Sequence, residues 1–208
     1  PETINHDNIK KLSEVGLHRI SFGLEHGNEE FRATMLDRRW KNADIIESLK
    51  IPHQYGVQFS VNNITGFPNE TRELAMDTVE LNRHIDADNA NIYSFVPFHG
   101  TPLRKTCEDL GLIAHETITK CLTDAPVYEM EQYTIEEIMG LRKCFVLYVA
   151  FPKSRWNDIR RAEPDAPEGH RIFAELKEEY MDKFFNAPGD NPNAEIAQVA
   201  DLEYGVTF

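Results

Sequence analysis

Polar and apolar residues change period several times between Pro1 and Gly111. His18 to Glu25 alternates: Ile20, Phe22 and Leu24 share one face, while Arg19, Ser21, Gly23 and Glu25 share the other. Val57 to Ile64 repeats the pattern, with Val57, Phe59 and Val61 opposite Gln58, Ser60 and Asn62. Period-two runs of this length predict strands, and Asn89 to Val96 is expected to be a third. Helical segments lie between them. The first opens at Asn5 or Asp7 and ends at Val15 before Gly16. Asn28 caps a short helix to Leu36. Asn42 or Asp44 opens a longer one to Gln54, with Pro52 an early stop and Gly56 the end. Glu70 to Ile85 carries Leu74, Val79, Leu81 and Ile85 at helical spacing, and Thr101 and Pro102 begin a helix ending near Gly111.

Strands separated by helices imply βαβ crossovers and a parallel sheet. The strands are nevertheless not apolar throughout, as strands covered on both faces are. One face suits helices; the other is small and polar and needs water or a ligand. An open barrel with a site in its mouth and a half-exposed edge sheet both produce this alternation. The expected fold is α/β: the C-terminal part of a partial (β/α)6 TIM-like barrel over residues 1–111, then a mostly helical C-terminal extension over residues 112–208. In that extension Thr134 is the expected N-cap of a helix to Phe151, stopped by Pro152. Ser154 caps a short helix to Ala162, and Pro167 sits in the first turn of a helix reaching Phe185. The Pro- and Asn-rich run at 186–193 is loop by composition, and the last fifteen residues form short elements.

Composition narrows the function classes. A formal net charge of -13 disfavours non-specific nucleic-acid binding, which needs Lys and Arg to neutralise phosphates. The most apolar stretch, Cys144 to Phe151, is far shorter than the roughly 20 residues of a bilayer span, so no membrane span is expected. Cys107, Cys121 and Cys144 are too widely spaced for a local thiolate clip, and an odd number at wide spacing does not fit a secreted disulfide framework. A cytoplasmic protein with unpaired thiols is expected. The chain opens on Pro1 directly into helix-like sequence, so a portion upstream is expected as well.

Candidate chemistry gathers where strands end, the place open sheets and barrels use for ligands. Glu25 closes the first strand, and Gly27 permits a tight turn after it. Asn62 has the polar parity of the second strand and can hydrogen-bond a hydroxyl pair; Gly66 lets backbone approach a flat ring closely. Glu70 and Thr71 form a helix start. Gln58 and Ser60 are polar wall positions for a substrate. Read singly, each has a plain alternative: Glu25 a surface acid, Asn62 and Asn63 turn formers, Arg38 one of a solvated Arg pair, His26 and His99 without a ligand role.

The ordered set resembles the radical S-adenosylmethionine (SAM) superfamily, in its MiaB-type barrel, and most closely the branch with an N-terminal cobalamin-binding domain. The resemblance rests on Gly23-Leu24-Glu25, Leu36-Asp37-Arg38, Ile64-Thr65-Gly66-Phe67-Pro68-Asn69-Glu70-Thr71 and Pro97-Phe98-His99-Gly100-Thr101, with Tyr148 to Ser154 similar to the C-terminal extension of the cobalamin-type members. It implies that Glu25 contacts bound SAM, that Arg38 approaches the SAM carboxylate, and that Asn62 faces the ribose hydroxyls. It implies that backbone near Ile64 to Gly66 and near Val96 and Pro97 flanks the adenine. The three strands would be the fourth to sixth of six.

The resemblance also implies a [4Fe-4S] cluster held by Cys-x-x-x-Cys-x-x-Cys, and that spacing is absent from this sequence. Three readings therefore stand. In the first, the chain is part of a radical SAM enzyme, supplying part of the SAM pocket and substrate wall; cobalamin-dependent methyl transfer is one implied chemistry, and the missing barrel half carries the cluster. In the second, it is a non-catalytic half-barrel that covers its open edge by oligomerising or by docking on a partner. In the third, it is an unrelated α/β protein, such as a small-ligand hydrolase with acidic residues at strand ends, for which no nucleophile elbow, phosphate loop or histidine-rich metal signature is present.

Overall fold

The computed structural model describes residues 1–185. The loop expected at 186–193 and the short elements after it lie outside the described residues. The chain divides by its contacts into two compact units, one of residues 1–138 and one that begins at Met139. The fading of strand signals near Gly111 is a different landmark: residues 112–138 carry no strand, and they belong to the first unit.

The first unit contains the expected parallel sheet. Strands β1 (Arg19–Glu25), β2 (Gln58–Thr65) and β3 (Asn89–Ser94) lie in the order β1-β2-β3. Arg19 pairs with Gln58 and Gly23 with Asn62; the register then slips between Gly23 and Glu25, so that Glu25 faces Asn63. On the other side of β2, Ser60 pairs with Asn89 and Thr65 with Ser94.

Helices α1 (His6–Glu14), α2 (Glu29–Leu36), α3 (Asn42–Ser48), α4 (Ile51–Gln54), α5 (Arg72–Arg83) and α6 (Pro102–Asp109) complete the alternation. Caps explain where most of them start. Asn5, Asn28, Thr71 and Thr101 each accept a backbone N–H from the first turn through the side-chain oxygen. The helix expected from Asn42 to Gln54 is two helices instead. Pro52 sits in the first turn of the second, where its missing N–H is tolerated, and it cannot continue the first. Glu70 is not part of α5 either, because Thr71 caps that helix and leaves Glu70 outside it.

One face of the sheet is core. Phe22, Leu24, Val57, Phe59 and Val61 are buried in one apolar cluster with Ile4 and Ile9 from α1 and its approach, Ile45 and Leu49 from α3 and its C-cap, and Leu81 from α5. Beyond Val61 this face turns polar while staying buried. The amides of Asn63 and Asn82 bond each other reciprocally at 3.1 and 3.0 Å, so neither is left unsatisfied.

The second unit is helical in its described residues. Helix α7 (Ile135–Ala150) starts in the first unit, where Thr134 Oγ1 accepts the Glu137 N–H and Glu137 accepts the Thr134 N–H, a capping box. A 3-10 turn (Lys153–Arg155) leads into α8 (Trp156–Ala162), so Ser154 lies inside the turn and caps nothing. Helix α9 (Pro167–Tyr180) follows and ends in a single π turn, Met181–Phe185. Tyr148 O–H donates to the buried Glu163 at 2.6 Å, and Trp156 Nε1 donates to the Tyr148 carbonyl at 3.3 Å, joining α7 to α8 and its C-cap. No helix among the described residues is long and apolar enough to cross a membrane.

Candidate functional site

The face of the sheet opposite the core carries the polar positions singled out in the sequence. Ser21, Ser60, Asn62 and Asn91 form a cross-strand ladder: Ser60 and the Asn62 amide both donate to Ser21 Oγ at 2.9 Å, and the Asn91 amide donates to Asn62 Oδ1 at 3.0 Å. The Asn62 side chain is thereby held from both neighbouring strands. Gln58, Ser60, Asn62 and Ile64 are all half-buried and alternate with the fully buried residues of the core face. This surface offers neutral hydrogen-bonding groups.

Glu25 ends β1 in an unusual backbone state. Its φ is 66°, a left-handed value disfavoured for a residue with a Cβ. His26 N–H donates to the Leu24 carbonyl at 2.9 Å, closing a three-residue turn centred on Glu25. The carboxylate folds back over the strand: a Cβ placed on Gly23 would lie 2.2 Å from Glu25 Oε1. Glycine two residues before the acid is therefore what leaves the carboxylate its place. Arg38, just beyond α2, donates to the Gly23 carbonyl at 3.2 Å and stands 3.5 Å from Glu25 Oε1. Burial pushes the Glu25 carboxyl above its ordinary range, and the Arg38 guanidinium pulls it partly back.

Gly66 follows β2 at φ 87°, a conformation that favours glycine. Its N–H and that of Phe67 donate to Glu70, and its carbonyl accepts Tyr128 O–H at 2.6 Å. Val96 and Pro97 lie beyond the end of β3, in the loop before α6. The Pro97 carbonyl is fixed by the buried Arg104 at 3.1 Å, which also donates to the carbonyls of His115 and Thr117. The structure thus brings Glu25 and Arg38 into contact, sets Asn62 in a ladder on the same sheet face, and anchors Gly66 and Pro97 from two different sides.

Sequence reasoning missed two features. Gly27 does not have positive φ and is not needed for a turn. A Cβ there would meet the Asp77 carbonyl oxygen at 2.1 Å and Thr78 Cα at 2.5 Å, so glycine permits the loop to press on α5, where Gly27 N–H donates to Thr78 Oγ1 at 2.9 Å. The other is the buried pair His26 and Glu70, 3.1 Å apart. Both depend on partners 44 to 51 residues away, which local pattern does not reveal. A separate cleft of about 520 Å³ lies on the helical side, lined by residues including Glu29, Glu30, Asp77, Glu80 and His84, away from the polar sheet face.

The thiols do not fit an iron–sulfur cluster. Cys107 is buried, with burial raising its pKa to about 11, whereas Cys121 is exposed. Cys144 lies in the other unit. Among the described residues no group of three or more His, Cys, Asp or Glu could hold a metal ion.

Comparison with known proteins agrees with the geometry. Residues 1–81 match the family model of the radical SAM superfamily. The chain is 27% identical over 158 residues to an uncharacterized methyltransferase of Pyrococcus horikoshii, covering 76% of this chain and 34% of that protein. It is 32% identical over 110 residues to a tRNA-2-methylthio-N(6)-dimethylallyladenosine synthase of Halalkalibacterium halodurans, covering 50% of this chain and 20% of the relative. It is 27% identical over 101 residues to the biotin synthase of Aquifex aeolicus, covering 49% and 30%. The chain spans about a third or less of the length of these curated relatives. The matching segment coincides with the strands and loops that carry Glu25, Arg38 and Asn62, so over residues 1–81 the chain is similar to the radical SAM superfamily.

Proposed function

We propose that this chain forms the SAM-binding wall of a radical SAM enzyme that transfers methyl groups. The observation that carries the reading is the Glu25–Arg38 pair at the carboxyl end of β1, beside a polar sheet face. The amino-acid end of SAM is a zwitterion, and an opposed carboxylate and guanidinium complement it. Arg38 turns from Glu25 to the SAM carboxylate, a natural two-pronged pairing, and Glu25 takes the ammonium. Asn62 meets the ribose hydroxyls, and backbone at Ile64 to Gly66 and at Val96 and Pro97 borders the adenine. Gln58 and Ser60, nearer the start of β2, form the substrate wall. Bound SAM supplies the radical chemistry; the residues here bind and orient it.

The remaining barrel strands, the [4Fe-4S] cluster ligands and any cobalamin site belong in this reading to another part of the protein or to a companion chain. That is supported by the greater length of the relatives and by β1, which pairs on one side only among the described residues. The name of the Pyrococcus relative favours methyl transfer. Calorimetric titration with SAM tests the reading. Arg38→Ala is expected to weaken SAM binding by about tenfold or more, the scale of a lost charge-assisted hydrogen bond, and to leave adenosine binding unchanged. A chain that binds no SAM and sediments as a stable oligomer would support the non-catalytic half-barrel instead.

A further inference from the structure

His26 directly follows Glu25, and Glu70 follows Gly66 by four residues. Both side chains are fully buried. His26 Nε2 stands 3.1 Å from Glu70 Oε1, while His26 Nδ1 accepts the Asn28 N–H at 3.1 Å. The acceptor role of Nδ1 assigns the ring proton to Nε2, which donates to Glu70. The other Glu70 oxygen accepts the N–H groups of Gly66 and Phe67. One carboxylate therefore joins the loop after β1 to the loop after β2.

The rest of the surroundings leave His26 no freedom. Its ring packs on Phe31 and Phe67, with centroids 4.4 and 6.2 Å away, and its carbonyl accepts from the buried Arg32 at 2.6 Å. From the far side, Gln132 donates to the Glu70 carbonyl at 3.3 Å and Tyr133 pairs with Thr65 at 3.1 Å. A residue at positive φ persists only where its neighbours over-determine it. Here the neighbour is His26, and what fixes His26 across the sheet is Glu70.

We propose that His26 and Glu70 are a pair of positioning residues that hold Glu25 in its strained turn and set its spacing from the Gly66 loop. Both side chains are fully buried, so the pair acts on geometry. The proposal rests on the SAM-binding reading, in which Glu25 and Arg38 take the amino-acid end and Gly66 borders the adenine. Fixing two subsites at the spacing of one ligand makes the whole ligand bind far better than its halves.

The test compares SAM with methionine alone and adenosine alone on the full chain. His26→Phe keeps the ring packing and removes both hydrogen bonds. It is expected to weaken SAM binding about tenfold while the two halves change less than about twofold. His26→Gln, which can still donate to Glu70, is expected to restore most of the loss. Equal losses for SAM and for each half, tracking a lower unfolding midpoint, would mean a structural role only and overturn the proposal, as would unchanged SAM affinity. Hydrogen exchange at the Gly66 and Phe67 amides gives a readout that needs no ligand. His26 touches neither amide, yet both are expected to exchange faster in His26→Phe and near the wild-type rate in His26→Gln. Unchanged exchange would overturn the coupling. Failure of the wild-type chain to bind SAM, with the exchange result positive, would instead reject the SAM reading and leave the coupling standing.

Discussion

Replacing Glu25 by glycine should make the chain more stable and less able to bind SAM. At φ 66° a residue with a Cβ carries about 1–2 kcal/mol of strain that glycine does not. Glycine gives back roughly 0.5–1 kcal/mol through its freer unfolded state. The contact with Arg38 offsets little, since it spans 3.5 Å with the side chains 39% and 20% exposed, and such pairs contribute at most about 1 kcal/mol. Burial works against the Glu25 carboxylate in any case. The net expectation, after subtracting the lost ion pair, is a gain between zero and about 1 kcal/mol, read as a higher urea midpoint at unchanged slope. Glu25→Gln separates the two contributions, because it keeps the strained backbone and removes the charge. The folded-state pKa of Glu25 is raised, so the contribution of this one group to stability is lost as pH climbs through the carboxyl range, while the Gln variant keeps every other carboxyl and lacks this one. The stability difference in favour of Glu25→Gln should therefore grow with pH. A glycine variant destabilised by about 1 kcal/mol or more would show that Glu25 serves the fold, and the reasoning would fail.

Gly27→Ala should lower stability by about 1–3 kcal/mol, since the new methyl meets backbone of α5; a urea midpoint near the wild-type value would contradict the packing described. The Asn63–Asn82 pair should behave non-additively: Asn63→Leu alone leaves a buried amide unpaired and costs about 1–3 kcal/mol, and adding Asn82→Leu should cost less than the sum, as a double-mutant cycle by denaturation reads. Thiol alkylation at mildly alkaline pH should modify Cys121 first, because it is exposed and its pKa is lowered by the Thr123 hydroxyl. Cys107, buried and pushed up to about 11, should react only on unfolding.

The alternation of Ile20, Phe22 and Leu24 with Ser21, Gly23 and Glu25 was legible because strand parity is a local property, and it correctly separates the core face from the polar face. Asn28, Thr101 and Thr134 were legible as helix starts for the same reason, and Asn5 as one of two candidates with Asp7: each acts within its own first turn. Thr71 falls inside the helix expected from Glu70 and proves to be its cap. Ser154 has the right chemistry for a cap and sits one residue too early, inside the 3-10 turn that follows Pro152. His26, Gly27, Asn63 and Glu70 were not legible in their roles. Each looks like a turn, strand-end or helix-start residue until the chain brings in a partner from a distant element: Glu70 to His26, α5 backbone to Gly27, Asn82 to Asn63. The sequence motif around Gly66 to Thr71 is thus a structural clasp, with Glu70 turned inward and the buried Gly66 held by Glu70 through its N–H and by Tyr128 through its carbonyl.

The central claim is that SAM binds on the polar sheet face, at the carboxyl ends of β1, β2 and β3. Mapping backbone amide shifts of the chain during titration with S-adenosylhomocysteine tests it most directly. The expected result is a connected set of shifts at Glu25, Arg38, Asn62, Gly66 and Val96, with Glu30, Glu80 and His84 in the helical-side cleft unmoved. Shifts confined to that cleft, or none at saturating ligand, would contradict the account.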